Sequence, residues 1–284
     1  MKYSVFTVCM PEYSVEEAVD KLVAWGYEGV EWRLTNQQPS ADGKPGFWAG
    51  NRCTITMDEA LDKAEAVGKR CRKAGLEVAS IAAYVKCDAV ADVEKVFEVC
   101  TRMGAPQARI SVPGYDGKTH YRKLFEKARA DYGVVEQLAR KRKLRANFEI
   151  HMGNICPSAS AAYRFASGFD PKHVGIIHDA GNMVVEGYEN WRLGIELLGE
   201  YLAEVHVKNA VWVPAPAGAF GQKTFQRSWA ELKDGEVDWA EVMAALKAVN
   251  YQGWLSLEDF STARVSEAKL TDAIAYLRTL EAQA

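Results

Sequence analysis

The chain predicts a single-domain α/β fold, a (β/α)8 TIM barrel over residues 1–284, and three observations carry that expectation. Short apolar runs alternate with segments of helical period eight times from end to end. Many helical segments enter the next strand through a glycine-bearing turn, as αβ loops do. No composition break or linker interrupts the series, so the strands belong to one parallel sheet. An open doubly wound sheet normally has fewer strands and a glycine-rich first turn. Here Cys9, Met10 and Pro11 follow the first strand instead.

The elements run in order. YSVFTVC (3–9) is the first strand, and the helix at about 14–25 opens with Ser14 and Glu17 as a capping box. AWGYEGVEW (24–32) leads into the second strand at 29–32, and the helix at 58–74 has Asp58 as its N-cap. KAGLEVASI (73–81) brings in the third strand at 76–81, and RMGAPQARI (102–110) follows the helix at 90–103 into the fourth at 108–111. The helix at 121–143 ends in the run Arg140, Lys141, Arg142, Lys143, Arg145, where cations meet the dipole and the solvent. RANFEIH (145–151), a helix at 158–168, VGIIHD (174–179), a helix at 190–200 and LAEVHVK (202–208) come next. A helix at 238–249 passes through AVNYQGWLSL (248–257) into WLSLE (254–258), and a last helix at 266–282 has Ser266 as N-cap. Tyr27-Glu28-Gly29 and Tyr251-Gln252-Gly253 form a weak internal echo.

Composition excludes several classes. At 48% hydrophobic and 26% charged residues with a net charge of −3, nothing suggests nucleic acid or an anionic membrane as a partner. No run approaches the ~18 apolar residues of a membrane span. The six cysteines are scattered with no C-x-x-C pair, which argues against a disulfide framework or a zinc knuckle. The N-terminus carries no cleavage-site pattern, so a cytoplasmic setting is expected.

In such a barrel, function collects at the C-terminal strand ends. Strict alternation turns Glu149 and His151 inward on strand five and Asp179 on strand six. It does the same for Glu204, His206 and Lys208 on strand seven, and for Ser256 and Glu258 on strand eight. Four consecutive strands thus offer Glu149, Asp179, His206 and Glu258 at one height. Without a cation these carboxylates would repel, and three carboxylates with one imidazole suit Mn²⁺, Mg²⁺ or Co²⁺, or Zn²⁺.

The motifs FEIHMGN, IHDAGN and EVHVKN, with the closing GEVDWAEVMAALKAVNYQGWLSLEDF, resemble the sugar phosphate isomerase/epimerase family. That family sits in the xylose isomerase-like TIM barrel superfamily, with ketose 3-epimerases, hydroxypyruvate isomerases and inosose dehydratases. The resemblance implies one bound divalent ion, Mn²⁺ by preference, on Glu149, Asp179, His206 and Glu258. It also makes Glu149 and Glu258 the acid/base pair. Many members carry a His three residues after the strand-six Asp, whereas this chain has Asn182, which can hydrogen-bond a hydroxyl but not shuttle a proton.

The chemistry such a site runs is deprotonation beside a ketone to an enediolate. Proton return gives epimerisation or isomerisation of a small keto-sugar or polyol, and loss of a β-leaving group gives the lyase alternative. His151 and Asn182 are substrate contacts on this reading. Lys208 and Arg227 either hold an oxyanion or pair with acids. Glu31 and Arg33 either pair with each other or touch substrate. Trp48 and Trp212, with Phe47, Phe220, Phe225 and Trp229, make an aromatic lid. His120 and Tyr121 are within reach of the mouth, His178 faces away, and His173 lies on the surface. A small carbohydrate is the expected partner, with a homo-dimer or homo-tetramer as the candidate assembly. An endonuclease of the three-zinc type would need many histidines, and none occurs before residue 120.

Overall fold

The computed structural model describes residues 1–284. Eight parallel strands close into a barrel. They are β1 (Lys2–Phe6), β2 (Gly29–Leu34), β3 (Glu77–Lys86), β4 (Gln107–Ser111), β5 (Arg145–Glu149), β6 (Val174–Asp179), β7 (Leu202–Val207) and, after a hairpin of β8 (Asn209–Ala215) and β9 (Thr224–Ala230), β10 (Trp254–Leu257). The barrel order is β1-β10-β7-β6-β5-β4-β3-β2, with β8 and β9 paired antiparallel outside it. Nine helices fill the connections: α1 (Val15–Ala24), α2 (Ala60–Ala74), α3 (Val90–Met103), α4 (Tyr121–Arg142), α5 (Ala159–Ala166), α6 (Ala180–Val185), α7 (Trp191–Leu198), α8 (Trp239–Ala248) and α9 (Ser266–Gln283). No helix is long and apolar enough to cross a membrane.

The outward strand faces supply the apolar core. Val30, Trp32, Ala146, Phe148, Ile176, Val205 and Leu255 are all fully buried against the helix layer. Tyr132 of α4 and Phe165 of α5 meet Phe148 edge-on at 5.5 and 5.0 Å, a geometry aromatic quadrupoles favour. Gly75 and Gly104 end α2 and α3 in the left-handed conformation at φ 76° and 87°, the turn chemistry expected of αβ loops. The lumen is polar. Ser4, Glu31, Ser80, Gln107, Asn147, Glu204, His206 and Ser256 are buried inside the barrel, where branched aliphatics usually stack.

Several boundaries differ from the sequence expectation. The first strand stops at Phe6 because Thr7–Cys9 coil into a 3₁₀ turn. Strand five ends at Glu149, so His151 lies in the following loop. Ser14 makes the capping box, its Oγ accepting from Glu17 N at 3.2 Å and its N–H donating to Glu17 Oε2 at 2.7 Å. Asp58 and Ser266 do not cap: Glu59 and Val265 hold those positions, and the Ser266 hydroxyl instead donates to Cys9 O at 3.1 Å. α6 begins directly at the end of β6 because Asp179 is its N-cap, accepting from Asn182 N at 2.8 Å. The long segment after strand seven, where an aromatic lid was expected, forms the β8–β9 hairpin.

Candidate metal centre

Barrel register places the four strand-end residues together. Asp179 and His206 are partners across β6 and β7, Glu149 pairs with Ile177, and Glu258 N donates to Val207 O at 3.0 Å. The ligand atoms of Glu149, Asp179, His206 and Glu258 all lie within 4.8 Å of one another. Opposite ligands of an ion held at about 2.1–2.5 Å are ~4–5 Å apart, so the spacing fits a divalent cation. His206 Nδ1 stands 3.3 Å from Glu149 and 3.7 Å from both Asp179 and Glu258.

A side-chain cation already meets these carboxylates. The Lys208 ammonium contacts Glu258, lies 2.8 Å from Asp179 and sits 3.8 Å from Glu149. Burial alone would lower the Lys208 pKa, but the acids outweigh it and raise it. Glu149 is desolvated, yet Arg109 Nη1 at 2.6 Å and the His206 ring hold its carboxyl well below the usual range. Glu258 moves the other way, with burial pushing it up against the pull of Lys208. Burial would likewise keep the His206 ring neutral; Glu31, then Asp179 and Glu149, override it and raise the pKa.

Asn182 is not part of the wall of the cavity above the cluster. It is fully buried and its amide donates to Asp179 Oδ2 at 2.8 Å, Glu149 Oε1 at 3.0 Å and Ile150 O at 3.1 Å. Its side chain thus holds two carboxylates of the cluster in place. Gly181 beside it is needed for close packing, since a Cβ there would sit 2.6 Å from Lys208 Cγ.

Above the cluster opens a cavity of about 580 Å³ whose walls include Glu149, Glu258, Lys208, Arg109, His151, Arg227 and Trp48. His151 Nδ1 contacts Met152 O at 2.6 Å. Phe260 is the centre of the aromatic wall, 4.9 Å from Trp48, 5.4 Å from Phe47 and 5.5 Å from Trp229. Arg227 stacks over Trp229 at 4.5 Å and has no acidic partner. Trp212 faces away, its Nε1 donating to Val184 O at 3.0 Å, and Phe220 and Phe225 are exposed on the hairpin. Glu31 and Arg33 do not pair with each other. Glu31 turns to His206 and Ser256, and Arg33 donates to Thr54 Oγ1 at 2.8 Å while stacking between Trp48 and Tyr84. His120 caps α4 by accepting from Arg122 N, away from the cavity, and His178 is buried facing outward. Two residues of the cavity wall, Arg109 and Phe260, were not singled out in the sequence. Arg109 is inward by the same alternation that marks Glu149, and Phe260 lies two positions beyond Glu258.

A closed parallel barrel with acids and an imidazole converging at its C-terminal mouth has the layout of a barrel enzyme. The chain belongs to the xylose isomerase-like TIM barrel family, whose model matches residues 19–280. It is 26% identical over 174 residues to an inosose dehydratase of Clostridium botulinum, covering 58% of this chain and 57% of that protein. The chain therefore matches little more than half the length of that relative. Its fold is similar to the 3-keto-D-glucoside 4-epimerase YcjR of E. coli, with a TM-score of 0.74, 17% identity and coverage of 98% and 99% of the two chains. It is also similar to the IOLI protein with a binding zinc atom, with a TM-score of 0.72, 13% identity and coverage of 100% and 97%.

Proposed function

We propose that the protein is a divalent-metal-dependent isomerase or epimerase of a small polyol ketone. The observation that carries this reading is that Glu149 and Glu258 belong both to the cation cluster and to the wall of the cavity. When bound on Glu149, Asp179, His206 and Glu258, the ion, Mn²⁺ by preference, supplies Lewis acidity to a ketone oxygen and so acidifies the adjacent C–H. The side chains do the rest. Glu149, kept deprotonated by Arg109, takes the α-proton, and Glu258 returns one to the enediolate carbon. Return to the opposite face epimerises; return to the neighbouring carbon isomerises. The Trp48, Phe260 and Trp229 rings shield the intermediate from water on one side.

A second reading, dehydration of a keto-cyclitol, is favoured by the likeness to inosose dehydratase and by the His151 ring in the cavity wall. That ring would protonate a leaving β-hydroxyl. Incubating ketoses, inososes and 3-keto-glycosides with the Mn²⁺-supplemented protein in D₂O separates the two. Isomerase or epimerase action incorporates deuterium at the α-carbon with the carbon skeleton's hydroxyls retained, and dehydration releases an enone-type product. Glu149→Gln and Glu258→Gln should each lower exchange by about 10²–10⁴-fold while leaving the fold intact. Full exchange in either variant would remove that residue from the acid/base role.

A further inference from the structure

Glu31 lies on β2, across the lumen from the cation cluster, and does not line the cavity. Its two carboxyl oxygens stand 3.1 and 3.4 Å from His206 Nε2. Ser256 Oγ donates to the same carboxyl at 2.6 Å, and the Phe6 ring lies 5.7 Å from the imidazole, closing off a third side. Glu31, His206 and Ser256 are all fully buried. An imidazole can present either nitrogen as a lone pair, and only the partner of one nitrogen decides what the other offers. With Nε2–H given to Glu31, the lone pair left for a metal is on Nδ1, the nitrogen that faces Glu149, Asp179 and Glu258.

We propose that Glu31 is the positioning residue of the metal centre, fixing both the tautomer and the orientation of His206. The same carboxyl ties β2 to β7 through His206 and to β10 through Ser256, two residues before the ligand Glu258. A buried carboxylate on the far nitrogen of a metal-binding His commonly sets metal affinity by 10–100-fold. This inference rests on the metal reading of the cluster, and its test is arranged so that the two fail separately.

The test titrates Zn²⁺ into metal-free wild type, Glu31→Gln and Glu31→Ala, with circular dichroism as the check on folding. Zinc-loaded ¹H–¹⁵N spectra of the His206 ring accompany the titration. Wild type should bind Zn²⁺ with His206 coordinated through Nδ1 and a downfield Nε2–H resonance. Glu31→Gln, which keeps an acceptor but not the charge, should lose about tenfold in affinity, and its Nε2–H resonance should move upfield. Glu31→Ala should lose about a hundredfold, while KM at saturating metal stays close to wild type in every variant that turns over. Should Glu31→Ala not fold, Glu31→Gln and the wild-type spectrum still decide the matter. Zinc affinity within twofold of wild type in a folded Glu31→Gln, or a zinc-bound wild type with the proton on Nδ1, overturns the role of Glu31 alone. A wild type that binds no Zn²⁺ or Mn²⁺ at all overturns the metal reading and this inference together.

Discussion

Arg109→Met is the substitution whose effect can be worked out furthest. The guanidinium meets Glu149 at 2.6 Å with both side chains at most 7% exposed. At an effective dielectric of 20, two unit charges 2.6 Å apart attract by about 6 kcal/mol. Desolvation of both partners cancels much of that, but removing only one leaves a buried carboxylate without its nearest counter-charge, with only the more distant His206 and Lys208 beside it, at a cost of about 3–5 kcal/mol. For a chain of 284 residues, roughly 2 °C per kcal/mol converts this to a melting point about 6–10 °C lower in metal-free protein. Calorimetric melts with and without excess Mn²⁺ are the assay. Mn²⁺ should narrow the gap between variant and wild type, because a divalent ion on Glu149 replaces part of the lost positive charge. A metal-free variant melting within 1 °C of wild type, or a gap unchanged by saturating metal, would refute the electrostatic argument and leave only packing.

Other outcomes follow from buried groups. Asn182→Ala strips hydrogen bonds from Glu149 and Asp179 and should destabilise the metal-free protein by about 1–3 kcal/mol in urea unfolding; an unchanged midpoint would mean that these acids find other donors. His178 has neither ring nitrogen paired, and burial pushes its pKa down from 6.5 to about 4. The folded state therefore binds fewer protons than the unfolded one between these values. Stability fully present above pH 6.5 should fall by about 3 kcal/mol as pH drops towards 4, and His178→Gln should flatten that slope. All six cysteines are buried, with burial raising Cys71 to about 11 and Cys9 to about 12. A thiol reagent at pH 8 should label none of them until the protein unfolds, and rapid labelling of the native chain would contradict the buried placement.

The fold was legible in the sequence because both of its periods are local. Alternation on β5, β6, β7 and β10 sets which side chains enter the lumen, so Glu149, Asp179, His206 and Glu258 could be grouped before any coordinates. Alternation fails where strands end. His151 reaches the cavity wall from a loop, and Asn182 sits in the first turn of α6 pointing down at the acids instead of up at a ligand. Long-range pairings leave no local trace. Arg109 with Glu149 and Glu31 with His206 join residues 40 and 175 positions apart, and an inward charge alone does not name its partner. The β8–β9 hairpin escaped notice because its strands pair only with each other, outside the barrel. That misreading also put Trp212, Phe220 and Phe225 over the mouth, where Phe260 stands instead.

The proposed chemistry requires one divalent ion among Glu149, Asp179, His206 and Glu258. Anomalous diffraction at the manganese edge from crystals grown with Mn²⁺ would locate it. The expected result is a single strong peak per chain, within about 2.0–2.3 Å of His206 Nδ1 and of one oxygen from each of the three acids. Lys208 Nζ should be withdrawn from the carboxylates it contacts without the ion. No peak there, with Lys208 still bridging Asp179 and Glu258, would contradict the metal centre and the enediolate chemistry built on it.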